Sequence, residues 1–248
     1  MGVDVHAVSN VECVDFVASE WAAGRGGWLH TVNLDHLRMI TAGKFFDGPL
    51  PYAEMRVCDG APLIWASRLQ KTPLPERVAG SDLIRSLTKA AAETQRSVYF
   101  LGGNPGSAEG ATAQLQKEFP GFKVAGILCP DFGFEKDPAE LQKITDSLLE
   151  TQPDLVFVAV GAPKSERLIQ DWKKMIPSAW WAGVGISFSF VTGEVKRAPR
   201  WMQVTGVEWI HRMLQEPGRL AKRYLVHGIP FAAKLFWHSF KQRFAKRS

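Results

Sequence analysis

The sequence predicts an α/β fold built around a doubly wound, mostly parallel sheet, followed by a helical C-terminal appendage. Three observations support this prediction. Short apolar segments alternate with longer amphipathic ones through Val184, which is the rhythm of βαβ units. Residues 155–160 form an uninterrupted, valine-rich apolar run, which is typical of a strand buried on both faces. After Val184 only helical periodicity remains.

The predicted elements follow the chain in that order. Strands are predicted at residues 28–32, 54–57, 97–101, 123–128, 154–160 and 179–184. Helices are predicted at residues 35–41, after the break at Gly60 and Pro62 through Trp65 and Leu69, at 80–94, from the loop after residue 101 to residue 119, at 138–150, and from Pro163 as first helical residue. Helices at 201–214, 217–225 and 229–244 form the appendage. We therefore expect a Rossmann-like α/β domain at residues 1–192 and an appendage at residues 193–248.

Charge is distributed unevenly along the 248 residues. The net charge is +5, but residues 194–248 hold twelve Lys and Arg against three acids, a charge of +9, so the other 193 residues carry −4. A basic tail on a mildly acidic body predicts an anionic partner, which could be a membrane surface, a nucleic acid or a phosphorylated substrate.

Composition also disfavours several classes of protein. The three cysteines are widely spaced without a C-x-x-C, which predicts a reducing cytoplasm and neither a disulfide framework nor a zinc site. The N-terminus lacks a basic n-region, so no signal peptide is expected. No apolar stretch is long enough to predict a membrane-spanning helix. No D-x-D occurs and the six histidines show no ligand spacing, so neither a metal nor another cofactor is predicted.

Asp59 is the candidate catalytic residue. It follows a predicted strand and precedes a helix, so it lies at the carboxyl edge of the sheet, where open α/β folds bind ligands. A carboxylate there can act as a general base. The alternative is that Asp59 only caps the helix through a side-chain oxygen, and this segment alone favours the cap.

Two glycine-containing turns also join a predicted strand to a helix. The first contains Gly102, Gly103 and Asn104, and the second contains Gly161, Pro163, Lys164, Ser165 and Glu166. Glycines let backbone N–H groups approach a phosphate, and helix N-termini favour negative charge. Neither turn has a G-x-G-x-x-G or Walker A sequence, and an ordinary βα turn explains the first equally well. Together they favour a nucleoside-diphosphate site, with Lys164 at the phosphates and Glu166 either bonding ribose hydroxyls or complementing the helix dipole.

Thr31 and Asn33 end the first predicted strand. Both side chains could bond a sugar hydroxyl, although Asn33 could equally be a helix cap ahead of Asp35.

The appendage interleaves basic and aromatic residues. Its arginines include Arg197, Arg212, Arg219 and Arg223, and its aromatic residues include Trp201, Trp209, Tyr224, Phe231, Phe236 and Trp237. This composition suits an interfacial helix on an anionic leaflet. It could also bind nucleic acid, or pack on the domain with its charges solvated.

Taken together, these segments resemble the WecG/TagA/CpsF glycosyltransferases, which make bacterial cell-surface polymers. The similarity runs from about Thr31 to Leu225. It is carried by residues 31–33, 59–60, 77–83, 101–103, 153–155, 161–166, 183–185 and 193–209, together with Phe188, Arg212, residues 215–217, 219–220 and 223–224.

The resemblance implies an inverting, metal-independent transfer of a sugar from a UDP-sugar to a polyprenyl-diphosphate-linked sugar. Type members of the family add N-acetylmannosamine or N-acetylmannosaminuronic acid to N-acetylglucosaminyl-diphospho-undecaprenol. The implied base is Asp59. Without a metal, we expect the diphosphate charge to be met by Lys164, by the backbone N–H groups of the two glycine turns, and by the arginines Arg197, Arg212, Arg219 and Arg223. The family usually has Gln at the position of Ser165 and Asp at the position of Ser189, so the donor sugar is left open.

We therefore expect a cytoplasmic transferase held peripherally at the inner face of the cell membrane, with the appendage both binding the membrane and completing the site. A nucleic-acid partner is not expected, and a homo-oligomer is one of the states the sequence allows. The alternatives are a nucleotide-dependent oxidoreductase, which lacks its glycine fingerprint here, and a non-enzymatic membrane or nucleic-acid adaptor, which leaves the glycine turns unexplained.

Overall fold

A computed structural model describes residues 1–46 and 50–245 and contains a single six-stranded sheet. The strands are β1 (Gly27–Val32), β2 (Met55–Cys58), β3 (Ser97–Gly102), β4 (Lys123–Leu128), β5 (Leu155–Ala159) and β6 (Trp180–Gly183). All pairs are parallel, in the order β2-β1-β6-β5-β3-β4. The predicted α/β class with a parallel sheet is confirmed. Lys246 and Arg247 of the predicted basic tail lie outside the described residues.

Helices connect and cover the strands. They are α1 (Asn10–Ala22), α2 (Leu34–Thr41), α3 (Ala61–Leu69), α4 (Gly80–Glu93), α5 (Ser107–Glu118), α6 (Pro138–Thr151), α7 (Lys164–Met175), α8 (Ser187–Thr192), α9 (Arg200–Thr205), α10 (Glu208–Gln215), α11 (Pro217–Ala221) and α12 (Ile229–Ala245). A 3-10 turn at Phe134–Lys136 precedes α6, and a π-helical segment at Lys222–Gly228 joins α11 to α12.

Strand side chains alternate between two separate cores, one on each face of the sheet. Trp180 packs with α1 and α4 on one face, whereas its neighbour Trp181 packs with α6 and α7 on the other. In β3, Phe100 packs in the same core as Trp180, and Tyr99 packs in the same core as Trp181. This alternation is the pleat of a strand buried on both faces. It explains why the central strands are continuously apolar in sequence.

Some elements differ from the prediction. Helix α1 is absent from the predicted elements, although Ser9 and Glu12 form a capping box at its start. It buries only Cys13, Val17 and Trp21, so its apolar stripe is narrow. The short helix α8 is also unpredicted. The prediction for Pro163 is wrong by one position, because α7 begins at Lys164 and Pro163 is its N-cap.

The appendage departs from the predicted boundaries at two points. The helix predicted at 201–214 is broken at Gly206, whose φ of 77° favours glycine and whose position leaves no room for a Cβ beside Ala61 and Trp65. The helices predicted at 217–225 and 229–244 are instead joined by the π-helical segment. Pro230 is the second residue after that segment and cannot donate a backbone hydrogen bond to the preceding turn.

Helix α12 packs back onto the α/β body. Phe231 and Leu235 are buried with Leu63 and Ile64 of α3 in a third apolar cluster. The outer side of the same helix leaves Trp237, Phe240 and Phe244 exposed. Within residues 1–46 and 50–245, none of the helices combines the length and apolarity needed to cross a bilayer.

Candidate active site

One cleft of about 1600 Å³ lies at the carboxyl ends of the strands and is closed on one side by the appendage. Parallel strands end at a common edge, so residues distant in sequence meet there. The predicted site residues that line this cleft are Thr31, Asn33, Asp59, Gly102, Gly103, Asn104, Gly161, Lys164, Ser165, Glu166, Arg212, Arg219 and Arg223. Pro163 and Arg197 do not line it.

Asp59 is held at the end of β2 by the backbone. Its N–H donates to the Val32 carbonyl at 2.8 Å, which extends the pairing of β1 and β2 by one residue. The N-cap of α3 is Gly60, at φ 137°, and no side-chain hydrogen bond caps that helix. The alternative that Asp59 only caps α3 through its carboxylate is therefore wrong. The Gly80 N–H at the start of α4 donates to the Asp59 carboxylate instead.

The surroundings of Asp59 tune its acidity. Burial raises the pKa of its carboxyl from 3.8 to about 6, the nearby Arg77 guanidinium opposes that rise, and the acids Glu208 and Asp82 add to it. At neutral pH most molecules carry the ionised form, and its proton affinity is higher than that of a solvated aspartate. Such a carboxylate is suited to accept a proton from a hydroxyl group.

Arg77 belongs to a network of four ion-paired side chains beside Asp59. Its Nη1 lies 2.6 Å from Glu208 Oε2 of α10, and its Nη2 lies 3.8 Å from Asp82 Oδ2 of α4. Arg197 donates from Nη2 to Asp82 Oδ2 at 2.9 Å, and its Nε lies 3.8 Å from Glu208 Oε1. Arg197, a predicted diphosphate ligand, is therefore engaged in joining the appendage to the body.

Three other arginines face the cleft. Arg212 is buried, contacts the Phe190 ring at 5.2 Å and donates from Nη2 to Glu216 at 2.7 Å. Arg219 donates to the other oxygen of Glu216, also at 2.7 Å. Arg223 Nε lies 2.9 Å from Asp35 Oδ2 at the start of α2. Glu216 is shared by Arg212 and Arg219, and Asp35 is also paired with Arg38, so the positive charge at this end of the cleft is not fully balanced and favours an anionic ligand there.

The first glycine turn is shaped mainly by packing. Gly102 and Gly103 have φ of 90° and 92°, and a Cβ on Gly103 would clash with Ser107 and Phe188. The Gly103 N–H donates to the Ala159 carbonyl at 3.0 Å, so it is not free for a phosphate. Asn104 Nδ2 donates to Ser189 Oγ at 3.3 Å, which places the Ser189 position at the cleft.

Lys164 lies at the cleft but already has an anionic partner. Its Nζ donates to Glu135 Oε2 at 2.7 Å, and it lies 5.2 Å from the ring centroids of Phe132 and Phe134. Its positive charge is therefore partly neutralised before any ligand arrives. Glu216 is shared by Arg212 and Arg219, so that group keeps a net positive charge, whereas Lys164 and Glu135 form a one-to-one pair.

Thr31 and Asn33 lie at the end of β1. The Thr31 hydroxyl donates to the Gly183 carbonyl at 3.3 Å. Asn33 Oδ1 accepts from the N–H groups of Asp35 and His36, both at 3.0 Å, so it caps α2 as the alternative predicted. Both residues still line the cleft.

A buried group of two histidines and a carboxyl lies at the wall of the cleft, which His36 and Glu166 line. Donor atoms of His30, His36 and Glu166 lie within 4.8 Å of one another, although sequence spacing predicts no histidine ligand set. Burial lowers the pKa of His36 to about 3 and raises the pKa of Glu166 to about 7. The donor types would suit zinc, but tetrahedral zinc needs its ligand atoms about 3.3 Å apart. His36 Nε2 and Glu166 Oε1 lie 4.0 Å apart, and the two imidazole rings stack rather than converge.

Arg77 and Glu208 are cleft residues that were not among the predicted site residues. Both lie in segments that carry the family resemblance, at residues 77–83 and 193–209. This resemblance is the only sequence feature that indicates a role in the site. Their pairing joins positions 131 residues apart, which no local pattern indicates.

Comparison with known proteins agrees with the predicted resemblance. Residues 1–245 match the model of the glycosyl transferase WecG/TagA/CpsF family. The chain is also similar to two proteins named N-acetylglucosaminyldiphosphoundecaprenol N-acetyl-beta-D-mannosaminyltransferase. It is 33% identical to that of Bacillus spizizenii over 195 residues, which are 79% of this chain and 74% of the relative. It is 32% identical to that of Bacillus subtilis over 194 residues, 78% and 73% of the two chains.

The predicted resemblance is confirmed, and the oxidoreductase and adaptor alternatives are set aside. The match covers the sheet, the cleft and nearly the whole appendage. The chain belongs to the WecG/TagA/CpsF family of glycosyltransferases, and it is a hexosyltransferase.

Proposed function

We propose that this enzyme moves an N-acetylmannosamine-like sugar from a UDP-sugar to a polyprenyl-diphosphate-linked sugar, with inversion and without a divalent metal. The observation that carries the proposal is the joint placement, in one cleft, of a carboxylate with raised pKa and three arginines. The relatives' names supply the acceptor class and the sugar.

The proposed chemistry is a single displacement. The Asp59 carboxylate takes the proton of the acceptor hydroxyl as that oxygen attacks the anomeric carbon of the donor. The bond from the anomeric carbon to the diphosphate oxygen breaks on the opposite side, and UDP departs with the electron pair. Attack opposite the leaving group inverts the anomeric configuration.

Arginines stabilise the departing diphosphate in this mechanism. Arg212, Arg219 and Arg223 lie on the appendage side of the cleft and are held by Glu216 and Asp35. Preorganised cations at the position where charge develops lower the barrier without the cost of reorganisation. Lys164, paired with Glu135, has the smaller share.

Asp59→Asn should abolish transfer. The amide cannot accept the proton, and loss of a general base typically costs about 10²–10⁴-fold in rate. UDP affinity should remain nearly unchanged, because the proposed phosphate ligands are untouched. The measurement pairs a transfer assay with calorimetric titration of UDP. Full activity in this variant would remove Asp59 from the mechanism.

The pH dependence of kcat/KM should reflect the ionisation of the Asp59 carboxyl group. Because the base acts when deprotonated, kcat/KM should fall as the pH drops below about 6. Arg77→Gln removes the cation that lowers the pKa of Asp59, so the inflection should move to higher pH.

Glu166 provides the control for this profile, since its pKa of about 7 lies close by. The fall in kcat/KM below about pH 6 should persist in Glu166→Gln. If this fall disappears in Glu166→Gln, or if its inflection does not move in Arg77→Gln, the titrating group is not Asp59.

Turnover should continue after removal of divalent metal. The proposed charge stabilisation comes from arginines, and no D-x-D is present to hold Mg²⁺ or Mn²⁺. The check is a transfer assay in excess EDTA, with add-back of each metal. If EDTA stops the reaction and Mg²⁺ or Mn²⁺ restores it, arginines alone do not stabilise the leaving group.

We also propose that residues 193–248 hold the enzyme at the inner face of the cytoplasmic membrane. The lipid of the acceptor stays in the leaflet, so the cleft must be brought to the surface of that leaflet. The exposed side of α12 offers Trp237, Phe240 and Phe244, with Lys241 Nζ 5.1 Å from the Trp237 ring centroid. Aromatic side chains suit the interface, and each basic residue near an anionic surface adds about 1 kcal/mol of attraction.

Replacement of Trp237, Phe240 and Phe244 by serine should abolish binding to anionic vesicles. Point substitutions test this proposal more specifically than truncation. Truncation would also remove Phe231 and Leu235, which are buried against α3. Activity on a water-soluble, short-chain acceptor should survive, whereas activity on the full-length lipid acceptor should fall. Vesicle co-sedimentation measures the first effect. Unchanged sedimentation would place the membrane contact elsewhere.

A further inference from the structure

The cleft extends from the appendage arginines onto an apolar surface of α3 and α12. Every residue that these two helices contribute to the cleft lining is apolar, and none of them takes part in the proposed displacement. The rings of Trp65 and Phe236 lie 6.4 Å apart, so the two helices meet there. An exposed apolar surface that is continuous with a ligand cleft marks a site of contact. We define the α3–α12 groove by Pro62, Trp65, Ile229, Ala232, Ala233 and Phe236.

Helix α12 gives this groove its shape. Ile229, Ala233 and Phe236 are spaced by four and three residues, so they lie on one face of the helix. The small side chains of Ala232 and Ala233 lie between the larger ones of Ile229 and Phe236, which leaves a depression along that face. Phe240 is four residues further along the same face and is exposed. The groove therefore leads from the cleft to the exposed aromatic surface of α12.

The other end of the groove is cationic. Arg219 and Arg223 line the cleft in the segments directly before α12, where the positive charge is not fully balanced. A ligand that fits both ends has an anionic head joined to a hydrocarbon chain. The names of the two relatives specify an acceptor of this chemistry, a diphosphate joined to undecaprenol.

We propose that the α3–α12 groove holds the first isoprene units of the acceptor's polyprenyl chain, next to its diphosphate, while the rest of the chain stays in the leaflet. This inference rests on the proposed polyprenyl-diphosphate-linked acceptor. Contact with the groove fixes the position of the diphosphate, and so the depth at which the attached sugar enters the cleft. It also distinguishes a prenyl diphosphate from a diphosphate that lacks a chain.

The test compares farnesyl diphosphate with inorganic pyrophosphate, by calorimetry, on the full-length protein without vesicles or detergent. Excess UDP is present to occupy the proposed donor position. Farnesyl diphosphate should bind about 10- to 100-fold more tightly than pyrophosphate, which corresponds to burial of a few methylene groups. Because no bilayer is present, the difference reports contact of the chain with the protein.

Two variants probe the groove itself. Ile229→Asp places a carboxylate in the groove, and Ala233→Trp fills it without adding a charge. Ala233 is exposed, so the larger side chain does not disturb the buried core. In both variants the preference for farnesyl diphosphate over pyrophosphate should be lost.

Val226→Asp is the matched control. Val226 lies three residues before Ile229, has a similar exposure of 59% against 51%, and does not line the cleft. Its substitution adds the same charge close to the arginines, yet the wild-type preference for farnesyl diphosphate should remain. An equal loss of preference in Val226→Asp and Ile229→Asp would overturn the inference, because the effect would come from charge and not from the groove.

The remaining outcomes separate this inference from the proposed function. If the wild type binds both ligands equally well, the groove is overturned and the acceptor class stands. If it binds neither ligand, both are wrong. If it prefers farnesyl diphosphate but transfers no sugar to a prenyl-diphosphate-linked sugar, the groove stands and the proposed reaction is wrong. If light scattering shows a dimer that both groove variants dissociate, a second copy of the chain covers the groove, which also overturns the inference.

Discussion

The pairing of Arg77 and Arg197 with Asp82 and Glu208 is the constraint on which the cleft depends. Arg77 and Asp82 belong to the α/β body, and Arg197 and Glu208 belong to the appendage. The four side chains are partly shielded from water, so each is more costly to leave unpaired than on an open surface. The network fixes the appendage over the carboxyl ends of the strands. It also sets the charges that surround Asp59, and through them its proton affinity.

This arrangement assigns different tasks to the two parts of the chain. The sheet supplies the proposed base and the glycine turns, because parallel strands bring separate segments to one edge. The appendage supplies the arginines that face the cleft and, on the outer side of α12, an exposed aromatic surface. The proposed acceptor has the same two-part character, with a lipid in the leaflet and a diphosphate at its surface. If the appendage binds the membrane as proposed, an enzyme that completes its site with this segment would be most active where that acceptor lies.

Much of the fold follows from sequence periodicity, whereas the electrostatics of the site do not. The apolar run before Gly161 predicts β5, and Asp59 is correctly placed at the sheet edge, because both depend on neighbours along the chain. The ion pairs of Lys164 with Glu135 and of Arg197 with Asp82 depend on contacts between distant segments. The break at Gly206 likewise arises from its contact with α3. Local patterns therefore predict where charged residues lie, but not which of them are already paired.

A double-mutant cycle tests most directly whether body and appendage form one active site. Arg77→Gln, Glu208→Gln and the double variant would be compared by kcat/KM on a water-soluble, short-chain acceptor, which removes any contribution of membrane binding. If the Arg77–Glu208 pair shapes the cleft, the two effects will be non-additive, with a coupling of about 0.5–3 kcal/mol. Additive effects would contradict the account, because they would show that the two parts act on the reaction independently.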